Sequence, residues 1–295
     1  MTRILVTGKN GQVGWELQRS LQCLGEVIAV DRGQFDLAQP ETLTGRLDEL
    51  APDVIVNAAA YTAVDKAESE EALATRVNGD SPGVMAAWAA RRGALMLHYS
   101  TDYVFDGRGE RPWTEDDVPA PLSAYGRSKL AGEQAIRAGG VDYLILRTSW
   151  VYASRGRNFL STMIRLAADR DELRIVNDQW GAPTSARLIA DTTAQVIAHA
   201  VRERAESRFR PALVHLTARG ATSWHGFACA IIESARTRDQ TLRARSIVPI
   251  ASSEYPTPAR RPANSRLDFT ALEQRFGLRM PNWQSGLRLF MEELA

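Results

Sequence analysis

Several features that would identify particular classes of protein are missing from this sequence. Its 36 lysines and arginines balance 35 aspartates and glutamates without any sustained basic block, so binding to nucleic acid has no electrostatic support. No stretch approaches about 18 uninterrupted apolar residues, which argues against a membrane span. Two cysteines and four scattered histidines provide neither a disulfide framework nor a zinc pattern. The chain opens with a strand-like run rather than a signal peptide, so we expect a cytoplasmic protein without nucleic-acid or membrane partners.

The first half of the sequence alternates short β-rich runs with helical patterns. Helices are expected to begin near residues 12, 41, 69 and 124. The candidate strands between them are 4–6, 27–30, 54–57, 95–99 and 143–147. Such alternation predicts parallel strands joined by right-handed crossovers, and therefore an α/β fold with a Rossmann-type doubly wound sheet.

Beyond Trp150 the rhythm of the sequence changes. The expected elements are helices over 159–170, 186–204 and 224–236, a strand over 213–216, and two more helices after a proline-rich stretch. We therefore predict a dinucleotide-binding domain over residues 1–150. Residues 151–295 are expected to form mainly a smaller substrate-binding lobe, with segments that return to complete the Rossmann sheet.

A glycine-rich turn follows the first predicted strand, with Gly8, Gly11 and Gly14 in the spacing G-x-x-G-x-x-G. Glycines permit a tight turn and let backbone N–H groups approach a pyrophosphate at the positive end of the next helix. Asp31 ends the second strand, where an acidic residue usually contacts the adenosine ribose. Its charge favours NADH, but Arg32 follows directly and could offset repulsion of a 2′-phosphate, so NADPH and NADH both stay open.

Tyr125 and Lys129 form the candidate acid–base pair. Residues four apart on a helix share one face, so the ammonium of Lys129 can reach the same cavity as the phenol of Tyr125. A phenol titrates near pH ~10, and a neighbouring cation is expected to lower its pKa toward the working range. The pair could exchange a proton with an alcohol or ketone while a nicotinamide exchanges the hydride. Ser100 and Thr101 are both candidates for the hydroxyl that binds the substrate oxygen. We expect His98 to be a buried imidazole whose hydrogen bonds are made within the protein.

These motifs together resemble a known group of enzymes. The glycine-rich turn, Ser-Thr-Asp-Tyr-Val-Phe at 100–105 and the Tyr125-x-x-x-Lys129 pair resemble the extended short-chain dehydrogenase/reductases that act on nucleotide sugars. Gln-Trp-Gly-Ala-Pro-Thr at 179–184 is more specific and resembles the dTDP-4-dehydrorhamnose reductase family. The resemblance implies reduction of the C4 ketone of dTDP-4-dehydro-L-rhamnose to dTDP-L-rhamnose by NADPH or NADH. Such a reaction would supply rhamnose for cell-surface polysaccharide, including lipopolysaccharide O-antigen.

The resemblance also implies roles for individual residues. Tyr125 would protonate the C4 alkoxide, Lys129 would hold the nicotinamide ribose and lower the pKa of the phenol, and Thr101 would hydrogen-bond the sugar. The expected substrate contacts are Thr101, Asp102, Trp150 and Arg261, with Arg266 as a second possible partner of the pyrophosphate. The expected cofactor contacts are Gly8, Gly11, Gln12, Val13, Asp31, Asp36, Leu37, Ala60, Tyr61, Thr62, Tyr99, Tyr125 and Lys129.

A metal site is the point where this sequence departs from the resemblance. Some reductases of this type form a dimer bridged by Mg²⁺, held by acidic residues of three helices. Glu16 and either Glu292 or Glu293 could supply two of them, but Arg187 occupies the middle position. A guanidinium has no lone pair for a hard cation. We therefore predict no metal site, a monomer or homodimer that does not need Mg²⁺, and an Arg187 that pairs with these glutamates.

Two other functions remain open. A noncatalytic dinucleotide-binding regulatory subunit would not need the proton donor Tyr125, so the intact pair argues against it. A nucleotide-sugar epimerase or 4,6-dehydratase would retain its NAD, and dehydratases typically carry an acidic pair after the threonine. Here Thr101 and Asp102 are followed by Tyr103, so the second acid is missing.

Overall fold

The computed structural model describes residues 1–237 and 242–293. Its strands are β1 (Arg3–Thr7), β2 (Glu26–Val30), β3 (Val54–Asn57), β4 (Leu95–Thr101), β5 (Asp142–Thr148), β6 (Val151–Tyr152), β7 (Glu172–Val176), β8 (Trp180–Gly181), β9 (Thr184–Ser185), β10 (Ala212–His215), β11 (Thr222–Ser223) and β12 (Ser246–Ile250). Its helices are α1 (Gln12–Ser20), α2 (Pro40–Leu50), α3 (Val64–Ala67), α4 (Glu71–Thr75), α5 (Ser81–Arg92), α6 (Ala124–Ala138), α7 (Phe159–Asp169), α8 (Ala186–Ala205), α9 (Trp224–Arg236), α10 (Thr270–Phe276) and α11 (Trp283–Glu293).

A six-stranded sheet with the order β2-β1-β3-β4-β5-β10 forms the centre of the molecule, and every neighbouring pair is parallel. The apolar runs of its middle strands are buried on both faces because helices cover both sides. Leu17 of α1 and Ile189 of α8 pack on one face, while Met85 of α5 and Ile136 of α6 pack on the other. The prediction of a doubly wound Rossmann-type sheet is confirmed.

The helix expected to begin near residue 69 is divided into separate pieces. Between α4 and α5 the chain forms a π-helical segment, Arg76–Asp80. Pro82 has no N–H to donate to the carbonyl of Asn78, which interrupts the regular helical ladder at this point. A Cβ on Gly132 of α6 would lie 2.1 Å from that same carbonyl oxygen, so the two backbones approach closely here. The sequence pattern predicted a helix but not its interruption.

The chain beyond residue 150 contributes one strand to the large sheet and builds further structure around it. The strand expected over 213–216 is β10, which pairs with β5. The pairs β7–β12 and β6–β9 are parallel and β8–β11 is antiparallel, and none of these short strands was predicted. Helices α7, α9 and α11 share an apolar core around Tyr152, Phe227 and Trp283. The division into two domains at residue 150 remains a prediction.

Among the described residues, no helix combines the length and the hydropathy that crossing a membrane would require.

Candidate active site

A cavity of about 760 Å³ lies at the carboxyl edge of the large sheet. All of the residues predicted to contact the cofactor line it, from Gly8 in the first turn to Lys129 in α6. The cavity also includes residues that were not assigned to the cofactor, namely Asn10, Arg32, Gly33, Phe35, Ala58, Ala59, Leu73, Val77, Ser100, Thr148, Val151, Gly156 and Arg157. Open α/β sheets bind ligands at this edge, so the cavity has the position of a dinucleotide site.

The glycine-rich turn is built for close approach of the backbone to a ligand. Gly8 has φ +73°, and a Cβ there would lie 3.0 Å from backbone atoms of Ala59. A Cβ on Gly14 would lie 2.1 Å from the carbonyl oxygen of Gly8, so only glycine lets α1 start so near to β1. Gly11 precedes α1 and offers no side chain to cap it. The first N–H groups of the helix can therefore bind an anion such as a pyrophosphate.

Asp31 lies in the cavity, but its charge is already paired. Lys9 Nζ lies 3.1 Å from Asp31 Oδ2 and 2.6 Å from Gln34 Oε1. The hydrogen bond from Lys9 lowers the pKa of Asp31 below its usual value. Arg32 pairs with Asp36 at 3.3 Å on the same side of the cavity. Because Lys9 offsets its charge, Asp31 opposes a 2′-phosphate less strongly than an unpaired carboxylate would.

Tyr125 and Lys129 lie in the first turns of α6, on the face that meets the sheet. Ser123 caps this helix by accepting a hydrogen bond from Gly126 N at 3.1 Å. Lys129 is 2% exposed and donates to the backbone carbonyl of Tyr99 at 2.7 Å. Both side chains line the same cavity, as the four-residue spacing predicted.

The predicted lowering of the phenol pKa is wrong for this structure. Burial raises the pKa of Tyr125, and a hydrogen bond with Thr101 opposes that rise only in part. Burial also lowers the pKa of Lys129 to about 8, against the opposing charge of Glu133. The prediction failed because it counted the neighbouring cation and left out the removal of water from both groups. A phenol with a raised pKa keeps its proton at neutral pH, which suits an acid.

Several buried side-chain oxygen atoms near the carboxyl ends of β4 and β5 have no hydrogen-bond partner among the described residues. Asp102 Oδ1 accepts from Thr101 at 3.1 Å, while Asp102 Oδ2 is buried without a hydrogen-bond partner among the described residues. Burial raises the pKa of Asp102 to about 6, and hydrogen bonds from Ser265 and Thr101 partly oppose this. The hydroxyls of Ser100 and Thr148 are also buried and unpartnered within the described chain. Buried polar atoms normally have partners, so these fit a bound polar ligand.

A second cavity of about 540 Å³ lies on the lobe side of the reacting pair. It is lined by the basic side chains Arg165, Arg170, Arg174 and Arg261, by the aromatic rings Tyr103, Phe159, Trp224 and Tyr255, and by Thr162, Met163, Leu166, Leu173, Ile175, Val176, Gln179 and Thr257. Arg261 donates to Tyr103 Oη at 3.1 Å and pairs with Asp65 at 2.7 Å. The ring of Tyr103 packs edge-on against Tyr125, with 5.5 Å between centroids. The second cavity therefore reaches the reacting phenol through one aromatic ring.

Four predicted substrate contacts line neither cavity: Thr101, Asp102, Trp150 and Arg266. Thr101 and Asp102 are buried at the end of β4 and just after it. Trp150 lines neither cavity; its indole stacks on Trp224 with 3.5 Å between centroids, and Trp224 is the ring at the cavity wall. A Cβ on Gly181 would lie 2.4 Å from Trp150, so the indole is sandwiched between the two. Arg266 also lies outside the cavity lining and donates to Asn264 Oδ1 at 2.8 Å. Of the two arginines proposed for the pyrophosphate, only Arg261 lines the cavity.

The residues that the resemblance placed at a metal site form an ion-pair network instead. Arg187 pairs with Glu293, and its Nε lies 3.6 Å from Glu16 Oε2. Arg19 lies 2.6 Å from the same oxygen of Glu16. Among the described residues, no group of three or more histidine, cysteine or acidic side chains could hold a metal ion. Guanidinium groups lie where Mg²⁺ would need oxygen ligands, so these residues do not fit the ion.

Comparison with known proteins agrees with this arrangement. The family model described as RmlD substrate binding domain matches residues 1–295. A dTDP-4-dehydrorhamnose reductase of Burkholderia thailandensis is 54% identical over 294 residues, which cover 99% of each chain. The fold also superposes on two crystal structures of dTDP-4-dehydrorhamnose reductases. The one from Clostridium acetobutylicum is 37% identical, with a TM-score of 0.89 over 99% of both chains. The one from Bacillus anthracis, in complex with NADP, is 33% identical, with a TM-score of 0.88 over 99% of this chain and 100% of the other. The chain therefore belongs to the RmlD substrate binding domain family, together with these reductases.

Proposed function

We propose that this protein reduces the C4 ketone of dTDP-4-dehydro-L-rhamnose to dTDP-L-rhamnose with NADPH or NADH, and so supplies rhamnose for cell-surface polysaccharide. The observation that carries the proposal is the convergence of Tyr125 and Lys129 on the cavity that contains the glycine-rich turn. The relatives are named dTDP-4-dehydrorhamnose reductases, and the structure of the Bacillus anthracis relative contains NADP. A site that only bound the dinucleotide would not require the buried acid–base pair.

The bound nicotinamide cofactor would supply the hydride, and the residues of this chain would bind it, orient it and deliver the proton. The N–H groups after Gly11 would hold the pyrophosphate at the positive end of α1. Asp31 would meet the adenosine ribose, with Lys9 beside it to accommodate a 2′-phosphate. This pairing supports use of NADPH as well as NADH. Arg157 lines the same cavity near the turn and could add a second positive charge.

Tyr125 would act as the general acid toward the C4 oxygen of the sugar. Its raised pKa keeps the phenol protonated until charge develops on that oxygen. Lys129 would place a positive charge beside the nicotinamide ribose and the phenolate that forms. Thr101 would hydrogen-bond the sugar near the reacting carbon, and the unpartnered Asp102 Oδ2 would accept from a sugar hydroxyl.

The second cavity would hold the dTDP part of the substrate. Arg261 and the neighbouring arginines suit a diphosphate, because guanidinium groups match phosphate oxygens bidentately. Phe159 and Trp224 offer flat apolar surfaces for a base or sugar ring. In this proposal residues 1–150 mainly bind the dinucleotide, and the part of the chain after them mainly binds the substrate. A cytoplasmic location, a monomer or homodimer and activity without Mg²⁺ complete the proposal.

The test is stoichiometric reduction by the purified protein. Incubation of dTDP-4-dehydro-L-rhamnose with excess NADPH, and separately with NADH, should oxidise one cofactor per sugar and yield dTDP-L-rhamnose by NMR. An epimerase or dehydratase would convert a nucleotide sugar without net consumption of cofactor. A regulatory subunit would bind NADPH and turn over nothing. Either of these results would overturn the proposal.

A further inference from the structure

A row of polar side chains crosses the buried sheet beneath the cofactor cavity. Thr7 of β1 is the register partner of Asn57 of β3, and Asn57 is the register partner of His98 of β4. The Thr7 hydroxyl lies 2.7 Å from Asn57 Oδ1, and Asn57 Nδ2 lies 2.9 Å from His98 Nδ1. His98 Nε2 then lies 3.1 Å from Lys129 Nζ. The row thus connects the first strand to the ammonium of the reacting pair.

This row lies where apolar residues would otherwise be expected. Two positions earlier on the same faces of these strands stand Leu5, Ile55 and Met96, which all belong to the apolar core. Thr7, Asn57 and His98 are each 1% exposed. Buried polar groups destabilise a core unless hydrogen bonds replace their water, so their presence here calls for a local reason. Lys129 is also buried, and its ammonium is the polar group that the row contacts at its end.

The hydrogen-bonding requirements of the row couple the His98 tautomer to the charge of Lys129. An ammonium only donates, so a charged Lys129 needs His98 Nε2 as an acceptor, which puts the imidazole proton on Nδ1. Asn57 must then present Oδ1 to that proton. The structure has the other orientation, with Asn57 Nδ2 toward His98, in which the imidazole proton lies on Nε2 and faces an uncharged amine. Rotation of one amide therefore converts one fully bonded state into the other.

We propose that His98 is a positioning residue for the reduction: its neutral imidazole holds Lys129 Nζ in place, and Asn57 sets the tautomer that accepts from the ammonium. His98 touches neither cavity directly, so it acts through Lys129. The catalytic part of this inference rests on the proposed role of Lys129. The structural part, which links the tautomer to the lysine charge, does not.

The charges around the pair support a neutral imidazole beside a titrating lysine. Burial and the charge of Lys129 together hold the pKa of His98 well below its usual value. Glu133 of α6 favours the ammonium of Lys129, but Arg147 of β5 binds both oxygens of Glu133 at 2.8 and 2.6 Å. Tyr125 approaches from the cavity side and stays uncharged at neutral pH. His98 therefore provides an acceptor to Lys129 without adding a competing positive charge.

Nitrogen NMR of ¹⁵N-histidine-labelled protein tests the structural part. The chain has four histidines, and loss of a signal in His98→Gln identifies the residue. A neutral imidazole shows which ring nitrogen carries the proton. In the wild-type protein, with and without NADP⁺, the proton should be on Nδ1 at neutral pH and move to Nε2 as Lys129 loses its charge near pH 8. A His98 tautomer that stays the same from pH 6 to pH 10, or a positively charged His98 at neutral pH, would overturn the proposal.

Steady-state kinetics of His98→Leu and His98→Gln test the catalytic part. Loss of the acceptor in His98→Leu should lower the Lys129 pKa, so that the basic limb of the kcat profile moves to lower pH by about one pH unit. The Gln variant carries an amide oxygen that can accept from Lys129, and it should restore most of the wild-type profile. When Lys129 is already replaced by alanine, the additional substitution His98→Leu should not lower kcat further.

The outcomes separate positioning from a purely structural role. If His98→Leu and His98→Gln lower the melting temperature equally, and if the kcat profile of each variant keeps the wild-type pH dependence, His98 only fills the core. The inference then fails. If His98→Leu does not fold, Asn57→Leu replaces it, because it removes the acceptor for Nδ1–H while it leaves the imidazole in place. That variant should shift the basic limb in the same direction. A normal tautomer switch without any kinetic shift would retain the structural link and reject the role of Lys129.

Discussion

The cofactor cavity and the second cavity are built in different ways. The cofactor cavity is formed by short segments that each follow a strand of the large sheet, and small residues such as Gly8, Gly11 and Ala60 let the backbone itself form the wall. The second cavity is formed by long side chains from α7, β7, α9 and the segment around Arg261. Backbone recognition requires a few glycines at fixed spacing, whereas side-chain recognition requires distant segments to converge.

This difference has consequences for how each cavity responds to substitution. The backbone wall is fixed by the strands, whose register and burial hold it in place. The side chains of the second cavity can change individually without disturbing the sheet. We therefore expect variants of the first cavity to affect chemistry and cofactor choice, and variants of the second to affect substrate affinity. The Tyr103 ring, which contacts Tyr125, is the junction between them.

The largest effect is expected where the two cavities meet. Tyr125→Phe retains the ring and removes the acidic O–H, so kcat should fall by on the order of 10²–10⁴ while the fold and NADPH binding persist. Stopped-flow oxidation of NADPH measures the loss, and fluorescence of bound NADPH checks the binding. Tyr143→Phe, a tyrosine of β5 outside both cavities, is the matched control. Turnover of Tyr125→Phe within a few-fold of wild type would remove this phenol from the mechanism.

A purely substrate-directed effect is expected for Arg261. Arg261→Gln removes a charged donor that faces the second cavity, so KM for the dTDP-sugar should rise by about 10- to 100-fold while the dissociation constant of NADPH stays the same. Arg108→Gln, an exposed arginine of the loop after β4, controls for loss of positive charge. Equal losses in affinity for sugar and cofactor would contradict the separation of the two cavities.

Asp102 should make stability depend on pH. Its pKa is raised to about 6 from 3.8, so its stabilising contribution is complete below pH 3.8 and is lost as the pH rises through 6. The free energy of unfolding should therefore decrease by on the order of 3 kcal/mol over that range because of this group. Asp102→Asn should remove this dependence and weaken sugar binding.

Urea denaturation of both proteins at a series of pH values between 4 and 7 measures the effect. Asp116→Asn, an exposed carboxylate, should leave the wild-type pH dependence unchanged. If the Asp102→Asn curve stays parallel to that of the wild type, the buried carboxyl does not titrate in this range.

A smaller effect is expected on cofactor choice. Asp31→Ala should increase kcat/KM for NADPH relative to NADH, because it removes a carboxylate next to the ribose 2′ position. Lys9→Ala should shift the ratio in the opposite direction, because it leaves Asp31 without its partner. Measurement of both cofactors with both variants provides an internal control. An unchanged ratio in both variants would place the ribose elsewhere.

The smallest effect, essentially none, is expected from metal removal. Because Arg187 pairs with Glu16 and Glu293, treatment with EDTA should change neither activity nor the mass in solution measured by light scattering. Arg187→Glu would create an acidic cluster and serves as the contrast, since Mg²⁺ should then raise its melting temperature. Reversible loss of activity of the wild type on EDTA treatment, restored by Mg²⁺, would contradict the prediction.

The sequence by itself determined the sheet and the cofactor cavity. The five strands and the helix starts at residues 12, 40 and 124 lie within a few residues of their predicted positions, because burial on both faces and strand–helix alternation leave a strong local pattern. The same pattern brings the carboxyl ends of the parallel strands to one edge, while the individual cofactor contacts came from the family resemblance and stay a prediction. The pairing of Arg187 with Glu16 and Glu293 was also predicted, from the family resemblance together with the charges of these residues.

Only the tertiary structure decided the features that depend on distant neighbours. The close approach of α6 to the π-helical segment before Pro82 and the stack of Trp150 on Trp224 both join residues far apart in the chain. The pKa of Tyr125 rises because burial outweighs the hydrogen bond with Thr101, and burial is a property of the folded chain. The polar row that ends at Lys129 appears only when three strands are placed side by side. A sequence states which groups are present, while desolvation and the partner of each buried group are set by the packing around it.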